Sequence, residues 1–524
     1  MLPSLSGLPS KPSSTSLDVF LGLKVATEAP SKVSRRENYQ TLQNQPLQRI
    51  LDDRPCADLF IPPISLLYDG FGIFDDVRHG RRPIPGERDI LEVKLWGEVG
   101  TFADQMAKFY DTEADRRGVA LRHLGRIFCA RRNPQAVGWS TDTSCVFPPQ
   151  MDKHLKGAHG AIVFCIKCKN ELSNISCEPS AELVSCVANS YKEQWEGAHR
   201  DLFDGWRVPA LGMTQIGERT PGTLRMRLLT GLLGAFVQFF GIVVLGQMRI
   251  VPLTPMLSLA TPIDDERSRQ ALFLAFKAAS IVIAKIQADA LRFIQKTPPK
   301  IPYELRGLPS VTEIQAVAPS SSSRINFALV GRHDTEIYHR NLYHARLSPT
   351  NEEIYVKFTE RYSRDLHIFC AERGLAPKLL GFEQIPGGWF AVAMEKIDIV
   401  KPREVESFSG LDTWKKDIRE LVEDFHRKGL VHGDLRLPNF IFTKDGPRRM
   451  LLIDFDWGGK EKEVFFPRGP LDQELRAQDG QHDCLDRPIT REDDDRVLAG
   501  TFKRLDELAA LLVLPGLLEE PRWV

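Results

Sequence analysis

The alternation of apolar and polar positions divides this chain into two regimes, separated by a stretch with no period. From Leu47 to about Gln295, apolar strand-like runs alternate with helical stretches. In residues 93–128, Phe102, Met106, Phe109 and Tyr110 recur at helical spacing, and residues 267–294 are apolar around much of a helix circumference, which predicts a helix packed on two sides. Residues 297–324, TPPKIPYELRGLPSVTEIQAVAPSSSSR, are rich in Pro and Ser without period and read as a linker. Beyond it the pattern changes. TEIYHR and LYHARL (335–347) form a candidate hairpin, and EEIYVKF (352–358) alternates as a strand. SRDLHIFCAERGL (363–375) is helical up to its stop signal at Gly374, and WFAVAMEKI (389–397) is another strand. Residues 411–430 place Leu411, Trp414, Ile418, Leu421 and Phe425 on one helical face, with Gly429 at the C-cap. The order of strands, one helix, more strands and then helices predicts a two-lobed α+β domain, C-terminal to a separate α/β domain.

Composition sharpens this division. At 524 residues the chain exceeds one hydrophobic core, and its 42 % apolar and 26 % charged residues are ordinary globular usage. Lys+Arg and Asp+Glu both number 69, so no bulk field favours nucleic acid or an anionic membrane. Nine irregularly spaced cysteines do not make a disulfide framework and suit a reducing, intracellular compartment, cytoplasmic or nuclear. The opening MLPSLSGLPSKPSSTSLDVF lacks a charged segment followed by an apolar one, so secretion is not expected, and its Ser and Pro content predicts disorder. The expected domains are a disordered tail (1–45), an α/β domain (46–296), the linker (297–324) and the two-lobed domain (325–515). One segment competes as a membrane span: in residues 228–245, LLTGLLGAFVQFFGIVVL, only Thr230 and Gln238 are strongly polar. Its flanks carry no anchor pattern and Gly interrupts a Val/Phe/Ile-rich run, which favours two buried strands with a turn near Gly241.

The chemistry concentrates after the linker. LVHGDLRLPNF (430–440) groups His432, Asp434 and Asn439, and LLIDFDWGG follows from Leu451. Phosphoryl transfer asks for positioning and charge neutralisation by Mg²⁺ and a lysine, a carboxylate on the acceptor side and further oxygen ligands for metal. Asp434 stands five residues before Asn439, and Asp454 follows fifteen residues after that, at the end of the apolar strand Met450–Ile453, so a hairpin returns it beside Asn439. Lys357 shares a strand face with Tyr355, opposite Ile354, Val356 and Phe358, so its charge faces a cleft while the other face packs.

HGDLRLPNF and IDFDW, preceded by VKF and MEKI, resemble the protein-kinase-like fold, whose catalytic loop reads H-R-D-x-x-x-x-N and whose metal motif reads D-F-G. The HGD form is similar to the aminoglycoside and choline phosphotransferase branch, and to fungal protein-kinase-like proteins with a long N-terminal domain. The resemblance covers about residues 330–510. It implies ATP and Mg²⁺ as cofactors, Asp434 as catalytic base, and Asn439 and Asp454 as Mg²⁺ ligands. It further implies Lys357 on the α/β-phosphates, Met394 and Glu395 at the start of the adenine-binding hinge, and Arg436 near the γ-phosphate. Asp365 is the helix carboxylate that would pair with Lys357, one methylene shorter than the usual glutamate. The implied activity is transfer of the γ-phosphate to a hydroxyl, of protein Ser/Thr or of a small molecule; the alternative is a pseudokinase serving as an interaction scaffold.

The chain also departs from that pattern. No G-x-G-x-x-G precedes Lys357, and the turn around His339, Arg340 and Asn341 has no glycine. Asp456 stands where the D-F-G glycine would be, and Gly433 replaces the arginine that grips a phosphorylated activation loop, so control of that kind is not expected. No A-P-E follows Asp454, and the acidic, irregular stretch 472–498 has no assigned role.

The N-terminal region resembles a degenerate restriction-endonuclease-like fold, in which an acidic residue and a strand bearing D/E-x-K hold Mg²⁺ and orient water. Asp142 and the strand AIVFCIKCKNEL (161–172) align with this pattern, with Lys169 as the motif lysine, but Lys167 stands at the carboxylate position, where a cation repels metal. Glu171 is a possible substitute on the same face, and a scaffold role is expected over an active nuclease. Cys165 and Cys168 form a C-x-x-C without a second close pair, which reads as buried free thiols rather than a zinc site.

Overall fold

The computed structural model describes residues 16–52, 61–81, 89–129, 154–156, 158, 160–169, 177–195, 200–217, 235–260, 265–317, 323–333, 341–402, 405, 408–444, 449–467, 475 and 487–513. The chain divides into two compact units, residues 1–310 with 386–388, and residues 311–385 with 389–524.

The first unit is built on a mixed sheet. Strands β1 (His154–Lys156), β2 (Ile162–Lys169), β3 (Ala210–Ile216), β4 (Phe236–Val244) and β5 (Met248–Pro252) lie in that order, and β6 (Leu257–Ser258) pairs with β4. Only β2 and β3 run parallel, joined through the helix Pro179–Trp195, since a parallel pair needs a crossover. Nearly all of β2 is buried, which is why its sequence is a continuous apolar run rather than an alternation. The helix Glu266–Gln295, capped where the Asp265 carboxylate accepts from Ser268 N–H at 3.1 Å, buries Leu272, Phe276, Val282 and Ile286. This helix is long and apolar enough to cross a membrane by composition, with 61 % of its most apolar window inside the protein.

Several expectations change here. Residues 16–43 are not a tail: they form four short helices that bury Phe20, Leu23, Val25 and Val33, and the helix Pro179–Trp195 holds them through Ser185 Oγ donating to the Val25 carbonyl at 2.9 Å. Ser and Pro dominate the average composition, but a few apolar residues suffice where a groove receives them. The turn expected near Gly241 is elsewhere. Gly241 lies within β4, where a Cβ would meet Ile64 Cδ1 at 3.0 Å and Phe71 at 3.2 Å, and the chain turns at residues 245–247. Residues 228–234 of that segment lie outside the described residues.

The expected linker is also divided. Its first half is fastened to the first unit by two buried arginines. Arg306 donates to the carbonyls of Asp204 (3.1 Å) and Trp206 (2.9 Å), and Arg207 donates to those of Arg306 and Leu308, both at 2.7 Å. Its second half supplies β7 (Glu313–Gln315) to the other unit, so the boundary falls at residue 310. A periodicity search finds no element in such a stretch because its anchors are side chain to carbonyl.

The second unit carries an antiparallel sheet in the order β11-β12-β10-β9-β8-β7, with β8 (Arg324–Arg332), β9 (Asn341–Ser348), β10 (Glu353–Thr359), β11 (Leu379–Ile385) and β12 (Trp389–Glu395). LYHARL falls on β9, as expected, but its hairpin partner is β8; TEIYHR and the turn residues His339 and Arg340 lie outside the described residues. The helix Arg364–Glu372 sits between β10 and β11, ending before Gly374 at φ +70°. The helix Leu411–Arg427 buries the predicted face, including Leu411, Trp414, Ile418, Leu421 and Phe425. β13 (Ile399–Val400) precedes it, and β14 (Leu430–Val431), β15 (Phe440–Thr443), β16 (Met450–Leu452) and β17 (Gly459–Lys460) follow, with β13-β15-β16 and β14-β17 as two small sheets. The helix Arg491–Val513 closes the unit. Its first turn lies in the acidic stretch that has no role by sequence.

Candidate active site

The loop between β14 and β15 carries His432 to Asn439, and its shape follows from a few buried groups. Gly433 has φ +80°, and a Cβ there would stand 2.7 Å from Ile489 Cδ1, so the backbone requires glycine at this position. The Asp494 carboxylate, 1 % exposed, accepts from His432 N–H at 2.7 Å and Gly433 N–H at 2.8 Å, and lies 3.2 Å from the His426 ring. Thr501 Oγ1 donates to the Leu435 carbonyl at 2.7 Å. The helix Arg491–Val513 therefore fixes the loop from below. Sequence reading missed Asp494, although an aspartate just inside a helix start beside an H-G-D loop is a signal that a search for buried acceptors would notice.

Within this frame Asn439 Nδ2 donates to the Asp434 carbonyl at 2.8 Å, and the Asn439 carbonyl accepts from Ile453 N–H at 2.9 Å, which sets Asn439 next to the start of the Asp454 turn. The Asn439 side-chain oxygen is buried with no hydrogen-bond partner. A buried oxygen of this kind is costly unless ordered water or a ligand takes it. The Asp434 carboxylate is held by both arms of Arg436, Nε at 2.5 Å and Nη2 at 2.9 Å.

Across the site, Lys357 extends from β10. Its Nζ donates to Asp454 Oδ1 and to Asp456 Oδ1, both at 2.6 Å. Burial works against the lysine's charge, but the two carboxylates outweigh it and raise its pKa above the ordinary value. Burial pushes the Asp456 carboxyl up to about 6, with Lys357 pulling it down and Asp454 adding to the rise. Asp454 has φ +69°, a left-handed conformation that aspartate tolerates better than most side chains. Phe455, between the two aspartates, packs in a buried aromatic group: parallel to His367 at 4.5 Å, and edge-on to His432 at 5.4 Å and Tyr362 at 6.2 Å. His367 bonds Tyr362 Oη at 2.6 Å and the Pro377 carbonyl at 2.7 Å, and burial draws its pKa down to about 4. Burial likewise lowers the pKa of His432, so the loop histidine is a neutral packing group.

The structure thus brings together Asp434, Arg436 and Asn439 on one loop, and Lys357 with Asp454. Asp365 is different. It is exposed on the first turn of its helix, and the ion pairs of Lys357 go to Asp454 and Asp456, so the expected helix carboxylate is not the lysine's partner. Met394 and Glu395 lie half-buried on β12, opposite Tyr355 and Ile354 of β10, and Glu395 Oε1 accepts from Lys378 N–H at 2.6 Å. A carboxylate, Asp454, and an amide oxygen, Asn439 Oδ1, are the kind of hard donors Mg²⁺ takes, a cation that keeps waters and substrate phosphates for its remaining positions. Among the described residues no cluster of three or more His, Cys, Asp or Glu is placed to hold a metal.

In the first unit the sequence-derived nuclease positions are closed by an unexpected carboxylate. Glu182, on the helix Pro179–Trp195, accepts from Lys167 at 2.5 Å and lies 3.6 Å from Lys169. Asp142 and Glu171 lie outside the described residues. Cys165 and Cys168 are buried free thiols, as expected. A hydrogen bond from Cys165 draws the Cys186 thiol down to about 7, with burial opposing and Lys167 assisting.

No family model and no curated protein sequence matches the chain. Among solved structures it is similar to the kinase PK-1 of the Cydia pomonella granulovirus, with 12 % identity over 34 % of this chain and 70 % of that one, at a TM-score of 0.28. A likeness at that level carries no weight for fold or function, and the residues must speak for themselves.

Proposed function

We propose that the second unit is a kinase-like phosphotransferase that binds Mg²⁺–ATP and passes the γ-phosphate to a hydroxyl, with protein Ser or Thr the favoured acceptor and a small alcohol the alternative. The observation that carries this reading is the 2.6 Å pair between Lys357 and Asp454, far apart in sequence, beside a loop whose Asn439 oxygen is buried without a partner. The mixed succession of strands, one helix, strands and helices supports this reading.

In this reading Lys357 takes the α/β-phosphates. The acceptor hydroxyl lies against Asp434, which receives its proton as the hydroxyl oxygen bonds to the γ-phosphorus and the bond to the bridging oxygen breaks, releasing ADP. Arg436 orients the Asp434 carboxylate through both oxygens. Asn439 Oδ1 and Asp454 are the groups that would hold Mg²⁺, which neutralises phosphate charge when bound. The first unit acts as a scaffold or partner surface in a reducing, intracellular compartment, the setting that the irregular cysteine spacing suits.

A second reading, an interaction module of pseudokinase type, draws on one observation. Lys357 is closed on two carboxylates and Asp434 on Arg436, and nucleotide must displace part of this network. Thermal unfolding of the full chain with Mg²⁺–ATP separates the two. A binder is stabilised by RT ln(1 + [L]/Kd), about 2.7 kcal/mol at a hundredfold excess over Kd. The expected outcome is a shift of the second unit's transition that Asp454→Asn abolishes, together with phosphate transfer to a hydroxyl acceptor. An unshifted transition leaves the interaction module.

A further inference from the structure

We propose that Asp456 is the positioning residue for Lys357, taking the place of a helix carboxylate. This inference rests on the phosphotransferase reading for its functional meaning, but the pairing stands on geometry alone. Lys357 Nζ meets Asp456 Oδ1 at 2.6 Å, the same distance as Asp454, while Asp365 on the adjacent helix is exposed to solvent. A buried ammonium needs a compensating charge whatever else binds in the cleft. Asp454 is the carboxylate that metal would claim. Once it turns to a cation, Lys357 keeps a counter-charge only if a second anion remains in place, and Asp456 is that anion.

The two aspartates reach one lysine because of what lies between them. Phe455 is anchored in the aromatic group of His367, His432 and Tyr362, and its carbonyl accepts from Ser363 N–H at 2.9 Å. With Phe455 pinned inward, residues 454 and 456 both present their carboxylates to β10. The lysine, its permanent partner and the metal carboxylate are thereby assembled from β10 and a single turn after β16. The helix Arg364–Glu372 supports this turn through His367 and its N-cap Ser363, while the carboxylates on Lys357 come from the turn itself.

Two double-mutant cycles on the full chain test the proposal: Lys357→Met with Asp456→Asn, and Lys357→Met with Asp365→Asn. Each is read by the urea midpoint of the second unit and by Kd for Mg²⁺–ATP. In the first cycle the midpoint losses of the single variants are expected to exceed that of the double, because removing both charges leaves neither buried alone. Asp456→Asn is expected to weaken Mg²⁺–ATP about tenfold with Lys357 present and not at all with Met at 357, a dependence that a purely structural lesion would not show. Asp456→Glu is expected to restore most of the affinity, and the Asp365 cycle to be additive in both readouts. Additive midpoints for Asp456, or coupling of Lys357 to Asp365, overturn the pairing. Absence of Mg²⁺–ATP binding by the unmodified protein, with the midpoint coupling intact, sinks the phosphotransferase reading and leaves the pairing standing.

Discussion

His367 shows how one side chain reports the state of the second unit's core. It is 1 % exposed, stacked on Phe455, and its pKa is drawn down to about 4 from an ordinary value of 6.5. Between these values the unfolded chain binds a proton that the folded chain does not, so stability rises with pH through that window. The contribution is complete above pH 6.5 and lost as pH falls toward 4. The difference is worth roughly 3 kcal/mol, of which about 2 kcal/mol is gone by pH 5. Urea midpoints at pH 7 and pH 5 are expected to differ more for the native chain than for His367→Gln, which keeps polar atoms but does not titrate.

At the scale of elements, the loop from His432 to Asn439 owes its shape to the helix Arg491–Val513 that packs on it as well as to its own sequence. Two loop N–H groups end on the Asp494 carboxylate. Asp494→Asn sets an amide nitrogen against one of those donors, and a loss of about 2–4 kcal/mol is expected in the second unit's unfolding free energy, with Mg²⁺–ATP affinity falling alongside. Sequence reading located the helices at Arg364–Glu372 and Leu411–Arg427 and the strands β10, β12 and β16 to within a few residues, because each has an apolar face of clear period. The helix Arg491–Val513 was missed since its first turn is acidic, and acidic residues at a helix start look like a solvated loop until an N–H partner is seen.

At the scale of the molecule, the division into two units was legible, but its position was not. Arg306 and Arg207 tie residues 305–308 to the first unit through backbone carbonyls. Burial lowers the Arg306 pKa to about 10 and that of Arg207 to about 9. Arg306→Ala leaves several buried carbonyls unpaired, and a loss of at least about 3 kcal/mol is expected in the first unit alone. Limited proteolysis is the check: new cleavage at residues 297–310, with the urea midpoint of the second unit unchanged.

Taken without its fold, the chain already singled out the residues we propose to carry the chemistry. Asp434, Asn439, Asp454 and Lys357 are marked by spacing and strand alternation, both local properties. The fold class followed from periodicity for the same reason. The tertiary structure decided who pairs with whom. That Lys357 chooses Asp456 over Asp365, that Glu182 closes Lys167, that Asp494 holds the loop and that residues 16–43 are folded all depend on distances between segments far apart in sequence. Buried charges select partners by proximity and desolvation, and no local pattern encodes either.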